Sequence, residues 1–162
     1  MSKVTPCLWF DGQAEEAARL YASIIPDSRI EKIVRAPADN PSTAKGAVLT
    51  VEFSLGGQPF IALNGGPEFP FTEAISLSIE CDDQAEVDRY WDALIADGGQ
   101  PSVCGWLKDR FGLSWQVVPR IMAEFMSSDD RAGAERAMKA MLGMTKLDVA
   151  RLREAFDGVP AA

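Results

Sequence analysis

The strongest constraint on the fold of this chain is that it reads twice. Gln13-Ala14-Glu15 and Gln84-Ala85-Glu86 stand 71 residues apart (84 − 13), and the same offset carries Leu20 to Trp91 and Ile24 to Ile95. Each copy begins with an apolar strand that runs into an acidic break. A helix follows, then a Pro or Gly stop, then strand–turn–strand material. The repeated order predicts a duplicated βαβββ unit, the larger copy first. Hydrophobic residues make up 47% and charged residues 25% of 162 residues, a balance that builds a globular core without staples.

In the first copy, residues 4–10 form an apolar run that Asp11-Gly12 breaks. Ala14, Ala17, Ala18, Tyr21 and Ile24 then recur at three- and four-residue steps, which predicts an amphipathic helix over 13–25, stopped by Pro26-Asp27. Residues 29–35 read as a strand and 36–45 as a loop. Residues 47–55 and 60–63 pair through a hairpin turn at Gly56-Gly57. In the second copy, residues 74–81 alternate as a strand, with Ile75, Leu77 and Ile79 on one face. Asp83 and Glu86 have capping-box spacing for a helix that runs to about residue 96 and stops at Gly98-Gly99. Residues 102–107 and 113–118 are the remaining strands. Beyond Pro119 the pattern is helical: 121–126, then 131–142 with Ala134, Met138, Met141 and Leu142 on one stripe. Thr145 and Asp148 start the last helix. The predicted class is α+β: paired βαβββ modules over 1–119 (about 1–70 and 71–119), and a helical tail over 120–162 that packs on the domain or on a partner.

Composition removes whole classes of chemistry. The chain has no histidine, which excludes Ser-His-Asp triads, Cys-His pairs and imidazole-held metals within one chain. Cys7, Cys81 and Cys104 are far apart and form no C-x-x-C, and their odd number suits a reducing interior. The net charge of −8 repels phosphate backbones and anionic membranes, so neither nucleic acid nor membrane is expected as a partner. No apolar run approaches the roughly 20 residues that span a bilayer. No leader-like segment opens the sequence, and a cytoplasmic protein is expected. The methionine-rich tail predicts a homodimer, because thioether faces adapt to partner surfaces.

The glycines bear on cofactors. Gly56-Gly57, Gly65-Gly66 and Gly98-Gly99 are isolated pairs, and none forms a G-x-G between a strand and a helix. They read as turns and a helix stop. Asp82 and Asp83, with Glu80, read as a solvated, helix-capping cluster, and Glu52 as an outward residue on its strand. Cys104 would act as a nucleophile only with a cation beside it, for which Lys108 and Arg110 are the neighbours in sequence; otherwise it is an inert buried thiol.

Several long stretches resemble one family. They are Thr5-Pro6-Cys7-Leu8-Trp9-Phe10-Asp11-Gly12-Gln13, Leu63-Asn64-Gly65-Gly66-Pro67, Asp83-Gln84-Ala85-Glu86-Val87-Asp88-Arg89-Tyr90-Trp91 and Cys104-Gly105-Trp106-Leu107-Lys108-Asp109-Arg110-Phe111-Gly112-Leu113-Ser114-Trp115-Gln116. Met141-Leu142-Gly143-Met144-Thr145-Lys146-Leu147-Asp148 in the tail is also similar. Together they resemble the PhnB-like group of the vicinal-oxygen-chelate (glyoxalase/bleomycin resistance/dioxygenase) superfamily, whose members often carry the label of a demethylubiquinone 3-methyltransferase. The resemblance implies tandem βαβββ modules that form a curved mixed sheet around a cleft, often completed by a dimer. Enzymes of the superfamily hold a divalent metal with His, Gln and Glu from strands of each module. Here the matching places offer Val4, Thr5 or Pro6, then Asn64, then Ile75 or Ser76, and Gln116 four residues after Gly112. Amides and hydroxyls make a poor site for a borderline metal, so no metal and no cofactor is expected.

The expected cleft residues are Thr5, Cys7, Trp9, Asn64, Ser76, Cys104, Trp106, Trp115 and Gln116, with the tryptophans as a flat lining. Two functions follow from this set. One is a metal-free cleft that binds a small aromatic or amphipathic molecule. The alternative is an enzyme of the same superfamily that uses an atypical metal site or a thiol.

Overall fold

The structure is a computed structural model that describes residues 3–159. The chain divides into two compact units between Phe71 and Thr72. In the first, β1 (Cys7–Phe10), α1 (Ala14–Ile24), β2 (Arg29–Arg35), β3 (Val48–Leu55) and β4 (Gln58–Asn64) build a sheet of order β1-β4-β3-β2. In the second, β5 (Ser76–Cys81), α2 (Gln84–Ile95), β6 (Gln100–Pro101), β7 (Trp106–Lys108) and β8 (Ser114–Pro119) give the order β5-β8-β7-β6. Both sheets are mixed, with the first strand parallel to the fourth and the other pairs antiparallel. The two copies therefore share one topology, as the 71-residue offset predicted. Helices α3 (Ile121–Ser127), α4 (Arg131–Leu142) and α5 (Val149–Asp157) complete the second unit.

Strand alternation decides what each sheet buries. In the first unit Leu8, Phe10, Val51, Phe53 and Ala62 are buried on the side of Ala14, Ala17, Ala18 and Tyr21 of α1. The small residues of α1 let the helix lie close to the sheet, and Tyr21 fills the remaining volume. In the second unit Leu107, Trp115 and Val117 are buried, as are Val87, Tyr90, Trp91 and Leu94 of α2. The Asp83 cap forms, with Glu86 N donating to Asp83 Oδ1 at 2.9 Å, and the reciprocal bond reaches one residue further back, where Asp82 N donates to Glu86 Oε2 at 2.9 Å.

Four expectations are corrected. Residues 102–107 are not one strand, because Cys104 (φ 57°) and Gly105 (φ 80°) lie in the left-handed region, which no strand can accommodate. Their N–H groups donate to Met144 O and Thr145 O, both at 2.8 Å, and so stitch the turn to the tail. The last helix starts at Val149, not at Thr145: Asp148 is its cap, accepting from Arg151 N at 3.0 Å. Helix α4 buries Gly133, Ala134 and Ala137, while Met138 and Leu142 are exposed. A Cβ at Gly133 would stand 2.6 Å from Asp130 Oδ2, the oxygens of the helix cap being beside it, and 3.0 Å from the Phe156 ring. Finally, Val4 and Ile75 lie outside the strands and are exposed.

The tail has its own core. Ile121, Met122, Phe125, Ala137, Met144, Leu147 and Leu152 form a buried cluster, with Val118 of β8 packed against it. Gln84 clips this core to α2: its Nε2 donates to Leu147 O and its Oε1 accepts from Val149 N.

Candidate functional site

In the first unit, Cys7 and Trp9 lie on the sheet face opposite Leu8 and Phe10. Trp9 is held by the chain itself. Its Nε1 donates to Gly66 O at 2.8 Å, Phe69 meets it edge-on at 5.0 Å, and Gly65 lies beneath the indole. A Cβ at Gly65 would come within 2.2 Å of the ring, so this glycine is required by close approach. Asn64 pairs across the strands with Phe10, and so belongs to the opposite face. Its Oδ1 accepts from Ala14 N and its Nδ2 donates to Val48 O, both at 2.9 Å. Its amide thereby caps α1, which has no side-chain cap of its own. Thr5 is half-buried ahead of β1, and Cys7 is exposed, with partial burial pushing its thiol pKa up.

The second unit gathers the other candidates. Trp115 and Gln116 are consecutive, so they face opposite sides of β8. Trp115 is in the core, and its Nε1 donates to Asp109 Oδ2 at 2.9 Å. Gln116 pairs across the strands with Ser78 and Trp106 on the outer face, and its Nε2 donates to Ser76 Oγ at 2.9 Å. Cys104, Trp106 and Gln116 line one groove of about 320 Å³, closed on its other side by Met122, Met126 and Met141 of the tail helices. Of the nine sequence candidates, the structure thus brings together these three and tethers Ser76 to them. Trp115 is turned away from them.

The groove methionines were missing from that set. Their signal was present, since the tail is methionine-rich, but sequence alone did not say which surface they would cover. Asp109 was missed as well. This buried carboxylate accepts from Phe111 N, Leu113 N and Trp115 Nε1 and so builds the β7–β8 turn. A second hollow, of about 190 Å³, borders Trp106, Lys108, Ser114, Gln100 and Glu73.

The residues at the superfamily's metal-holding places do not fit a divalent ion. Asn64 spends Oδ1 on the α1 cap and Nδ2 on Val48 O, and Gln116 Nε2 is spent on Ser76 Oγ. Among the described residues no three of His, Cys, Asp and Glu converge. For thiol chemistry the neighbouring cations are committed elsewhere, Lys108 to Glu73 and Arg110 to Asp97. Burial lifts the Cys81 thiol to about 12, helped by the nearby charge of Glu86, so Cys81 stays protonated at neutral pH. Among the described residues no helix is long and apolar enough to cross a membrane.

The family model for 3-demethylubiquinone-9 3-methyltransferase matches residues 2–118. The PhnB protein of Bacillus cereus is 33% identical, with 73% of this chain and 99% of that chain covered and a TM-score of 0.66. A protein of Pseudomonas aeruginosa is 25% identical over 74% of this chain and 98% of its own, with a TM-score of 0.58. The fosfomycin resistance protein FosX of Mesorhizobium loti, 14% identical over 79% of this chain and 100% of its own, has a TM-score of 0.55 and shares the fold alone. A search of curated proteins finds no match. The duplicated βαβββ sheets and these matches together place the chain in the PhnB-like, 3-demethylubiquinone-9 3-methyltransferase family, on the glyoxalase/bleomycin resistance/dioxygenase fold.

Proposed function

We propose that the second unit is a binding module for a small, planar, largely apolar molecule, held in the groove of Cys104, Trp106, Gln116 and the tail methionines. One observation carries this reading. An otherwise apolar groove of about 320 Å³ holds a single side-chain amide, that of Gln116, whose Nε2 is fixed on Ser76. Grooves from about 300 Å³ upward suit small ligands, and a few placed polar groups orient what the apolar walls attract. Fixing Nε2 turns Gln116 Oε1 into an oriented acceptor for a ligand O–H or N–H. Thioethers flank the space, and they adapt to flat rings.

The family's name implies a methyl transfer from S-adenosylmethionine, but the glycines do not fit that cofactor. Gly56-Gly57 is the β3–β4 hairpin turn with φ 53° and 81°, Gly65 lies under Trp9, and Gly98 (φ 112°) ends the α2 region. None opens a helix behind a strand, where a phosphate- or nucleoside-cradling loop would sit.

The test uses 2-naphthol and isothermal titration. Saturable one-to-one binding is expected, and Ala123→Phe should abolish it. Ala123 lines the groove from an exposed position on α3, so a ring there fills the space without disturbing the core. Absence of saturable binding, or full binding by a folded Ala123→Phe protein, overturns the proposal.

A further inference from the structure

The strand register of the second unit sets four polar residues in one transverse row. Ser76 stands opposite Ser114, Ser114 opposite Lys108, and Lys108 opposite Gln100. Directly opposed residues share a face, so these side chains emerge side by side. Ser114, Lys108 and Gln100 line the hollow of about 190 Å³.

Ser114 has no structural explanation. It is 1% exposed, and its Oγ makes no hydrogen bond. Buried hydroxyls nearly always have partners, and one beneath the lining of a hollow, without any, is a donor that a ligand acceptor could satisfy once the Glu73 carboxylate is displaced. Lys108, beside it, already holds a carboxylate, that of Glu73, and this contact lowers the pKa of Glu73 through the hydrogen bond and charge of Lys108. Glu73 is 62% exposed, and ion pairs of that kind are weak enough for a competing carboxylate to replace one.

The hollow adjoins the groove described above. Trp106 lines both, and Ser114 and Gln116 are two residues apart on β8, about 7 Å by strand rise. That is the length of a two-ring system. We propose that groove and hollow form one site for an aromatic carboxylic acid, its rings against Trp106 and the methionines and its carboxylate on Lys108 Nζ and Ser114 Oγ in place of Glu73. This rests on the groove binding flat apolar molecules and names the class.

The experiment compares 2-naphthoate with 2-naphthol on the full chain by isothermal titration. Naphthoate should bind about tenfold tighter, the worth of a charge-assisted hydrogen bond. Lys108→Met should remove that preference, while Lys108→Arg keeps it. Ser114→Ala should weaken naphthoate several-fold. Glu73→Gln should strengthen it by freeing the ammonium. If naphthol binds but naphthoate shows no advantage, or if a folded Lys108→Met protein retains the advantage, the acid site is wrong and the groove stands. If neither compound binds, both are overturned.

Discussion

Replacing Asp109 with alanine should cost the second unit about 3–5 kcal/mol of stability. Asp109 is 3% exposed and its carboxylate gathers three donors: Phe111 N at 2.9 Å, Leu113 N at 3.1 Å and Trp115 Nε1 at 2.9 Å. Truncation removes the acceptor from all three. Phe111 is only partly buried, so water can reach its N–H. Leu113 and Trp115 are buried, and water cannot replace the oxygens they lose. Each buried donor left unpaired costs about 1–3 kcal/mol, and the turn also loses the bond at Phe111. The sum is a large part of the roughly 5–15 kcal/mol that holds a domain together. Asp109→Asn should cost about 1–3 kcal/mol, because it keeps one oxygen for the two backbone donors but sets an amide N–H₂ against the indole N–H. Urea unfolding followed by tryptophan fluorescence reads this directly, since Trp91, Trp106 and Trp115 all lie in the second unit. An alanine variant within about 1 kcal/mol of the parent, or an asparagine variant less stable than the alanine one, would refute the account.

Asn64→Ala should destabilise the first unit by about 2–4 kcal/mol, by orphaning Ala14 N and Val48 O, while naphthol binding stays unchanged. A shift under about 0.5 kcal/mol in urea unfolding, or lost binding in the folded variant, contradicts the capping role. Cys81 predicts an alkaline effect. Its folded pKa, about 12, lies above the ordinary 9.0 because burial penalises the thiolate, so the contribution is complete below pH 9. Above that the unfolded chain releases the proton and the folded one does not, and stability falls as pH rises from 9 towards 12, by on the order of 4 kcal/mol. Other groups titrate there too, so the measurement is the difference in slope of unfolding free energy against pH between the parent and Cys81→Ala. Equal slopes count against it.

Much of this fold was legible because its signals are local. The spacing of Ala14, Ala17, Ala18 and Tyr21 fixes a buried helical face, and Asp83 with Glu86 fixes a helix start. The failures came where a distant partner decides. Nothing near Cys104 and Gly105 announces that both adopt positive φ, because the carbonyls that hold them there belong to Met144 and Thr145. The stripe of Met138 and Leu142 faces outward because α4 packs through Gly133 and Ala137, a choice set by Phe156 and the tail core. Trp115 is a different case. Alternation alone forbids Trp115 and Gln116 from sharing a face, so that pairing was excluded by the sequence itself.

The two sheets share a strand order, and their registers allow position-by-position comparison. Cys7 faces Ile61 in the first as Ser78 faces Gln116 in the second, and Ile61 faces Glu52 where Gln116 faces Trp106. The same place on the same fold therefore carries an aliphatic chain in one copy and an amide in the other. The copies also differ at the first-to-fourth strand end, where Phe10 meets Asn64 and Cys81 meets Pro119. There the first copy uses its amide to cap a helix, while the second needs none, because Asp83 caps α2 locally. An amide inside the fold and an amide facing a groove look alike in sequence, and strand parity separates them: Asn64 shares the face of Phe10, Gln116 that of Trp106. The binding role proposed above therefore rests on residues of the second copy, with the tail helices supplying the opposite wall of its groove.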